Sequence, residues 1–397
     1  MLLGNRVVFV DGVRTPFGKA GEKGAFWQTR ADDLVVKAMQ GLLERHPDLD
    51  PSLIDEVAIA AATQSGDQGI VLGRTASILA GLPLSVPGYA IDRWCAGAMT
   101  AVTTIAGGIA AGAYDIALAG GVEHMGHHPI GSEFDPNPRF VSERLVDPGA
   151  LNMGETAERL HDRFPALTKE RADRFAMNSQ AKTAAAYAGN KIQDDLIPVA
   201  YKSAEGWGQL NTDEHPRPGT TMEGLADLKT PFRPHGRVTA GNASPLTDGA
   251  TVSLLANEQT AVELGLPVKM RMVNYAFAGV EPEVMGIGPI PSTEKALKRA
   301  GLSIDDIGIF EINEAFAVQV LSFLDHFGIA DNDSRVNPYG GAIAFGHPLA
   351  SSGVRLMIQL AKQFEERPDV RYGITTMCVG LGQGGTVIWE NPNWAGK

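Results

Sequence analysis

The sequence predicts an α/β fold made of two similar layered halves, with a separate segment inserted between them. Apolar strand-like runs alternate with helical segments from residue 7 onward. This alternation is typical of a parallel or mixed sheet covered by helices on both faces. The segment IDEVAI at 54–59 also returns 250 positions later as IDDIGI at 304–309. A repeat at so long a period indicates a duplicated domain rather than a solenoid.

In the first half, strands and helices follow one another in a regular order. Short apolar runs predict strands at Val7–Val10, Val57–Ala62, Tyr89–Ile91 and Ile116–Ala119. The segments between and after them predict helices at Asp32–Arg45, Ile70–Ala80 and Ala98–Gly108. Cys95 therefore lies in a corner where a strand ends and a helix begins.

The second half repeats this order, and Ile374–Cys378 is the counterpart of Ile116–Gly120. The stretch RVNPYGGAIAFGHPLASSGVRL at 335–356 predicts a loop of small residues that delivers His347 to the start of a helix. The offset of 250 carries Cys95 to within two positions of His347. We therefore expect the two residues in matching corners that face one shared cleft.

Residues 122–245 have no counterpart in the second half. This insertion combines predicted helices at Glu155–Arg163 and Lys169–Ala188 with a polar loop at Lys202–Arg237. Loops that long are usually functional, and both a ligand-binding subdomain and a plain surface excursion stay open. We expect three units: an N-terminal half of residues 1–121 with 246–267, an inserted domain of residues 122–245, and a C-terminal half of residues 268–397.

Composition places the chain among soluble proteins of more than one domain. Its 397 residues exceed one ordinary core, and 44% of them are hydrophobic. The net charge of −12 argues against nucleic acid or an anionic membrane surface as a partner. The sequence has no recognisable targeting or membrane-spanning stretch, so we expect a cytoplasmic protein. Its two cysteines are then expected to be thiols rather than a disulfide.

Three stretches hold residues suited to catalysis, each with a plainer alternative. Cys95 precedes a helix N-terminus, which favours a reactive thiolate, yet buried inert cysteines are also common. Glycines follow Cys378, so backbone N–H groups could face an oxyanion, or the stretch is an ordinary turn. Asn313 and the acids of EINEAFA at 311–317 could hold a water or pair with each other; a capped helix start is the plainer reading.

Two other stretches partly match the patterns of metal-binding and dinucleotide-binding sites. HMGHH at 124–128 resembles a metal tract, but no carboxylate or thiol stands nearby at ligand spacing, so we expect no metal. The glycines of GGAIAFG at 340–346 do not follow the G-x-G-x-x-G order, which argues against a dinucleotide site.

Six separated motifs, in one order, resemble the thiolase family. They are MGETAE at 153–158, VTAGNAS at 238–244, MGIGPIP at 285–291, NEAFA at 313–317, GGAIAFGHP at 340–348 and CVGLGQG at 378–384. GGVEHMGH at 120–127 is most similar to the degradative bacterial 3-ketoacyl-CoA thiolases, the β subunits of fatty-acid oxidation complexes. The resemblance implies duplicated α/β/α layers with mixed five-stranded sheets and an inserted loop domain.

The resemblance also implies roles for individual residues. Cys95 matches the nucleophile that becomes acylated, His347 the histidine that activates it, and Cys378 the second, acid/base cysteine. Asn313 matches the asparagine that holds a catalytic water and forms one oxyanion hole with His347. The backbone N–H groups of Cys95 and Gly380 match the other oxyanion hole.

Further matches concern the substrate. Ser244 and Arg217 match positions that contact the pantetheine and the nucleotide of coenzyme A, and Met153, Met285 and Phe316 match residues near the reacting thioester. The implied reaction cleaves 3-oxoacyl-CoA with coenzyme A, through an acyl-cysteine, to acyl-CoA and acetyl-CoA in fatty-acid β-oxidation. Coenzyme A is then a co-substrate, and no permanently bound cofactor is expected.

Alternatives to this function remain. A decarboxylating ketosynthase shares the fold but uses Cys-His-His, and Cys378 and Asn313 argue against it. A biosynthetic acetoacetyl-CoA thiolase and a catalytically silent acyl-CoA-binding scaffold stay open. Thiolases form dimers, often paired into tetramers, and the degradative branch often joins an α subunit. We expect at least a homodimer, with Tyr89–Ile91 near its seam.

The sequence departs from the thiolase pattern in three places. Asp92 stands where an asparagine is common, Ala96-Gly97-Ala98 replaces a serine-containing turn, and Ala350 replaces a glycine. No reacting group is lost, so we expect these changes to affect backbone geometry and acyl-chain preference.

Overall fold

The computed structural model describes residues 4–132 and 134–396. Its strands are β1 (Val7–Arg14), β2 (Gly18–Lys19), β3 (Glu56–Ala60), β4 (Tyr89–Ile91), β5 (Ile116–His124), β6 (Val199–Ser203), β7 (Gly206–Leu210), β8 (Thr247–Asn257), β9 (Met270–Gly279), β10 (Ile307–Ile312), β11 (Tyr372–Val379) and β12 (Gln383–Glu390).

Its α-helices are α1 (Ala31–Glu44), α2 (Leu72–Ala80), α3 (Gly97–Ala110), α4 (Arg139–Ser142), α5 (Met153–Arg163), α6 (Lys169–Ala188), α7 (Met222–Ala226), α8 (Glu258–Glu263), α9 (Pro289–Ala300), α10 (Ala317–Phe327), α11 (Ala342–Phe345) and α12 (Ser352–Glu366). In the part of the chain so described, no helix has the length and apolar character needed to cross a lipid bilayer.

A mixed sheet of ten strands runs through both halves, in the order β10-β11-β12-β9-β1-β8-β5-β3-β4, with β2 paired to β8. In the first half, β3 is parallel to β4 and β5, and β8 is antiparallel to β5 and β1. The second half has the same senses: β10 is parallel to β11, and β12 is antiparallel to β11 and β9. The predicted duplication is therefore confirmed in the strand order.

The two halves differ at one edge and meet at the other. The counterpart of β4 in the second half is reduced to one parallel bridge between Phe310 and Val336. The halves join through β1 and β9, where Val8 pairs with Arg271 and Phe9 with Met270. The two predicted five-stranded sheets are thus the two halves of one continuous sheet. In the second half, the single bridge takes the place of the fifth strand.

Helices α3 and α12 pack against each other and form the central layer, with α3 on strands of the first half and α12 on strands of both halves. The α3 sequence GAMTAVTTIAGGIA is apolar or small almost all round, as expected for a helix buried on every side. Helices α1 and α2 pack on strands of the first half and α9 on strands of the second, with α10 beside α9. Cys95 and His347 each precede a helix of this central pair.

The insertion is more regular than predicted. Helix α6 has the predicted bounds, but the expected loop at Lys202–Arg237 contains most of the β6–β7 hairpin as well as α7. Gly206 at φ +117° completes the tight reversal between the two strands. The prediction that residues 202–237 form a loop without regular structure was therefore wrong. The strands β6 and β7 are short and contain charged residues and glycines, so their alternating pattern is weak in the sequence.

A buried carboxylate ties the junction between the halves. Asp11 of β1 accepts hydrogen bonds from Arg45 Nε at 2.7 Å and Lys269 Nζ at 2.9 Å, and lies 3.1 Å from His46 Nε2. Burial raises the pKa of Asp11, but the hydrogen bond with His46 and the charges of Lys269 and Arg45 together hold it well below its usual range. Asp11 therefore links the end of α1 to the segment that enters β9.

Candidate active site

Cys95 occupies a tight corner between β4 and α3. After β4, the Asp92 carboxylate accepts the N–H of Trp94 at 2.7 Å. Trp94 takes the left-handed conformation, with φ +42°, and the 3-10 turn Trp94–Ala96 leads directly into α3. Only 7% of Cys95 is exposed. The structure thus places Cys95 where the sequence predicted it, in a buried position.

Burial dominates the electrostatics of Cys95 and raises the pKa of its thiol to about 12. A hydrogen bond from the Gly380 N–H opposes this shift, whereas the charges of Glu123 and Asp92 add to it. The N-terminus of α3 favours a thiolate, but its effect on the pKa is smaller than the effect of burial. Cys95 therefore rests as a thiol, and a reaction at its sulfur would require a base.

His347 lies in the matching corner of the second half, after Gly346 at φ +106°. Its backbone N–H donates to Thr247 Oγ1 at 3.0 Å. Its Nδ1 lies 2.5 Å from Ser352 Oγ, and the Ser352 hydroxyl donates to the Pro348 carbonyl at 3.4 Å. Ser352 Oγ is thus the hydrogen-bond partner on the Nδ1 side of the ring, and Nε2 points the other way, toward Asn313.

The Nε2 atom of His347 lies 3.3 Å from Asn313 Nδ2. The Oδ1 atom of Asn313 accepts a hydrogen bond from Arg355 Nη2 at 3.3 Å. A guanidinium can only donate, so this contact fixes the amide with its NH2 group toward His347. Burial lowers the pKa of His347 to about 3, and the Arg355 charge adds to that shift. His347 is therefore a neutral base.

Cys378 reaches the centre from β11 and pairs with Gly384 of β12. Burial raises the pKa of its thiol well above the usual value, and neighbouring Cys95 adds to the shift. Both thiols are free. A Cβ atom at Gly380 would lie 2.2 Å from the Trp94 ring, so only glycine lets this N–H approach the Cys95 sulfur.

The two corners pack directly against each other. The turn Trp94–Ala96 contacts the turn Leu349–Ser351, and a Cβ atom on Gly97 would lie 2.9 Å from the Cβ of Ala350. Glu123 accepts backbone N–H groups from both halves, from Ala62 at 3.0 Å and Ala350 at 3.2 Å. Two positions that depart from the family pattern, Gly97 and Ala350, thus face each other.

Apolar side chains surround this centre. Met285, Phe316 and Cys378 belong to one buried cluster, and Met153 packs against it. Ser244 lies beside Phe316, where its N–H donates to the Ala315 carbonyl at 2.9 Å. The structure therefore brings these predicted substrate residues together.

Arg217 lies apart from the centre. It is exposed, on the segment between β7 and α7, and its backbone N–H donates to Gln180 Oε1 at 2.7 Å. No contact in the described residues joins its side chain to the cysteine and histidine corners.

The two acids beside Asn313, Glu311 and Glu314, accept hydrogen bonds from side chains of neighbouring segments. Glu314 accepts hydrogen bonds from Ser179 Oγ at 2.6 Å and Asn337 Nδ2 at 2.7 Å. Glu311 accepts one from Gln363 Nε2 at 2.7 Å, and its burial raises its pKa to about 7 against the opposing charge of Arg355. Of the three polar residues Glu311, Asn313 and Glu314, only Asn313 faces His347.

The histidines at 124–128 are held by hydrogen bonds. His127 Nδ1 and His128 Nε2 contact the Asp67 carboxylate at 2.8 and 2.6 Å, and the rings of His124 and His127 stack with centroids 3.7 Å apart. Across residues 4–132 and 134–396, no group of three or more potential ligands could hold a metal ion.

Sequence reasoning assigned no role to Thr247, Ser352, Arg355 or Trp94. A signal for two of them exists in α12, an otherwise apolar helix with polar residues at 352, 355, 359 and 363. Spacings of three and four place these residues on one face. The face is buried, so it must be matched to polar partners.

Comparison with known proteins supports the motif evidence. Residues 7–259 match the family model "Thiolase, N-terminal domain", and residues 266–391 match "Thiolase, C-terminal domain". The chain is 42% identical to a 3-ketoacyl-CoA thiolase of Photobacterium profundum over 389 residues, which are 97% of this chain and 99% of the relative.

A second relative, 3-oxoadipyl-CoA/3-oxo-5,6-dehydrosuberyl-CoA thiolase of Escherichia coli, is 42% identical over 396 residues, 96% of this chain and 98% of the relative. The crystal structure of the dimeric peroxisomal thiolase of Saccharomyces cerevisiae superposes with a TM-score of 0.89 at 35% identity, covering 98% of this chain and 97% of that one. With both halves matched nearly end to end, the chain belongs to the thiolase family.

Proposed function

We propose that the protein cleaves 3-oxoacyl-CoA with coenzyme A to give acetyl-CoA and a shortened acyl-CoA. One observation carries the proposal: the buried corner that holds Cys95 packs against the turn that follows His347, with the Cys378 thiol near Cys95 and the Asn313 amide beside His347. Two cysteines and a histidine are the groups that a thiol-dependent carbon–carbon cleavage requires.

In the first step, His347 Nε2 takes the Cys95 proton while the sulfur attacks the C3 ketone. Burial disfavours each charge alone, so we expect proton transfer to be coupled to attack, with imidazolium and anion forming together. The backbone N–H groups of Cys95 and Gly380 hold the developing oxyanion. Loss of one such donor costs about 3–4 kcal/mol of transition-state stabilisation in a measured case.

In the second step, the C2–C3 bond breaks and leaves an acyl group on Cys95 and the enolate of acetyl-CoA. Asn313, through its water, and His347 stabilise the enolate oxygen, and Cys378 donates the proton to C2. The coenzyme A thiol then gives its proton to the Cys378 thiolate, and its sulfur attacks the acyl carbonyl. The bond between the acyl carbon and Cys95 Sγ breaks, and the His347 imidazolium returns its proton to Cys95, so that all three side chains regain their starting forms.

The substrate residues follow the same proposal. We assign Met153, Met285 and Phe316 to the walls around the reacting thioester, Ser244 to pantetheine, and Arg217 to the nucleotide of coenzyme A. The inserted domain of residues 122–245 then serves as the coenzyme A-binding unit between the two thiolase halves, and the predicted domain boundaries remain part of this proposal.

The biological setting proposed is fatty-acid β-oxidation in the cytoplasm. Relatives named 3-ketoacyl-CoA thiolase favour the degradative direction. The test is thiolysis by the purified protein of 3-oxohexadecanoyl-CoA and acetoacetyl-CoA. Cleavage of both supports the degradative proposal, and cleavage of acetoacetyl-CoA alone indicates the biosynthetic alternative. A folded protein inactive on both would overturn the enzymatic proposal.

We further propose a homodimer at least, with an α subunit of a fatty-acid oxidation complex as a candidate partner. β4 ends the strand order, and exposed Ile70 and Leu84 precede it in the chain. An edge strand beside apolar surface is usually covered. Light scattering at micromolar concentration should give at least twice the chain mass, and a monomer mass would refute the dimer.

A further inference from the structure

We propose that the cleft beyond Trp94 receives the distal part of the acyl chain, and that the Trp94 indole sets the chain length that Cys95 accepts. This inference rests on the proposed thiolytic function and adds a substrate class. That class comprises 3-oxoacyl-CoAs whose chain extends past Trp94.

The space directly at Cys95 is small. It measures about 30 Å³, roughly the volume of one water molecule. Its walls include Trp94, Phe134, Met153 and Leu349, together with Cys95 itself. A space of this size holds only a short acyl group on the sulfur, so a longer one must continue into another space.

A larger space adjoins it. This cleft measures about 420 Å³, a size typical of ligand pockets. Its walls include Ser65, Trp94, Phe134, Phe140, Leu151 and Leu381. Most of this lining is apolar, which suits an aliphatic chain. Among the described residues, Ser244 and Arg217 belong to neither wall, so the coenzyme A side stays separate.

Four residues line both spaces, Ala62, Thr63, Trp94 and Phe134, and the two aromatic rings are the large side chains among them. Their rings are stacked, with centroids 5.0 Å apart and planes 11° apart. The Trp94 backbone is fixed by Asp92, and its ring packs on Gly380, where a Cβ atom would come within 2.2 Å. Trp94 is therefore the fixed ring of the stacked Trp94–Phe134 pair. We infer that an acyl chain entering the cleft separates the two rings.

Two substitutions should change chain-length preference in opposite directions. The readout is kcat/KM for 3-oxodecanoyl-CoA divided by kcat/KM for acetoacetyl-CoA. Trp94→Leu joins the two spaces, and we expect the ratio to rise about tenfold. Ser65→Phe fills the cleft, and we expect the ratio to fall about tenfold. Trp207→Leu, the same change at an indole that is 77% exposed, should leave the ratio unchanged.

Each outcome decides the inference. Opposite shifts in Trp94→Leu and Ser65→Phe support it. An unchanged ratio in either folded variant, a shift in the opposite sense, or a shift no larger than in Trp207→Leu would overturn it. If one variant fails to fold, the ratio of the other gives the decision. Failure of the wild-type protein to cleave either substrate is distinguishable, since that result refutes the proposed function itself.

Discussion

Asp92 shows how one departure from the family pattern acts on the reacting residues. Its carboxylate fixes Trp94 and adds negative charge near Cys95. Asparagine keeps an oxygen acceptor for the Trp94 N–H but removes the charge. At this position, therefore, geometry and electrostatics can be separated by one substitution.

We predict that Asp92→Asn lowers the pKa of the Cys95 thiol, because a nearby negative charge disfavours the thiolate. At a fixed alkaline pH, iodoacetamide should then alkylate the Cys95 peptide faster than in the wild type. Mass spectrometry of that peptide across a pH series measures the effect. Asp305→Asn, an exposed change, is the control. Slower alkylation in Asp92→Asn would contradict the prediction.

Among the elements, helix α12 does most to build the centre. Ser352 holds the ring of His347, Arg355 holds the amide of Asn313, and Gln359 contacts the Arg355 guanidinium. Arg355 also lies between the charges of Glu311 and Glu314. A helix is rigid enough to hold both contacts in register, which supports preorganisation of the site.

Arg355→Lys should fold but lose rate. Lysine keeps the positive charge that the buried acids need, yet lacks the planar fork that reaches both Asn313 and Gln359. We expect kcat to fall about 10- to 100-fold from misplacement of the amide, with KM nearly unchanged. Arg367→Lys, at the exposed end of the same helix, should retain full rate. An equal loss in both variants would contradict a positioning role.

The elements also show what sequence could and could not predict. The bounds of α6 and β4 and the corner positions of Cys95 and His347 follow from local pattern and the repeat, so they were predictable. The contacts of His347 with Thr247 and Ser352 depend on tertiary packing. The raised pKa of Cys95 also escaped prediction, because burial outweighs the helix N-terminus and no local pattern reveals that balance.

For the whole molecule, the duplicated halves form one sheet, with Asp11 at their junction. Because the pKa of Asp11 in the folded protein is depressed, its contribution to stability is present above its unfolded pKa of about 4 and is lost as pH falls toward its folded value.

Asp11→Asn should therefore lower Tm at neutral pH, by the equivalent of about 1–2 kcal/mol given the part-exposed partners. The difference from wild type should shrink on acidification, as Asp11 becomes protonated in the wild type. Thermal unfolding followed by circular dichroism at several pH values measures it, with exposed Asp369→Asn as control. A difference that grows in acid would contradict the assignment.

The most direct test of the account is the covalent intermediate on Cys95. The protein is incubated with an acyl-CoA without free coenzyme A, quenched in acid and digested, and both cysteine peptides are analysed by mass spectrometry. We predict an acyl adduct on the Cys95 peptide, lost in Cys95→Ala and strongly reduced in His347→Ala, which lacks the base. An adduct on the Cys378 peptide alone would contradict the assignment of the nucleophile.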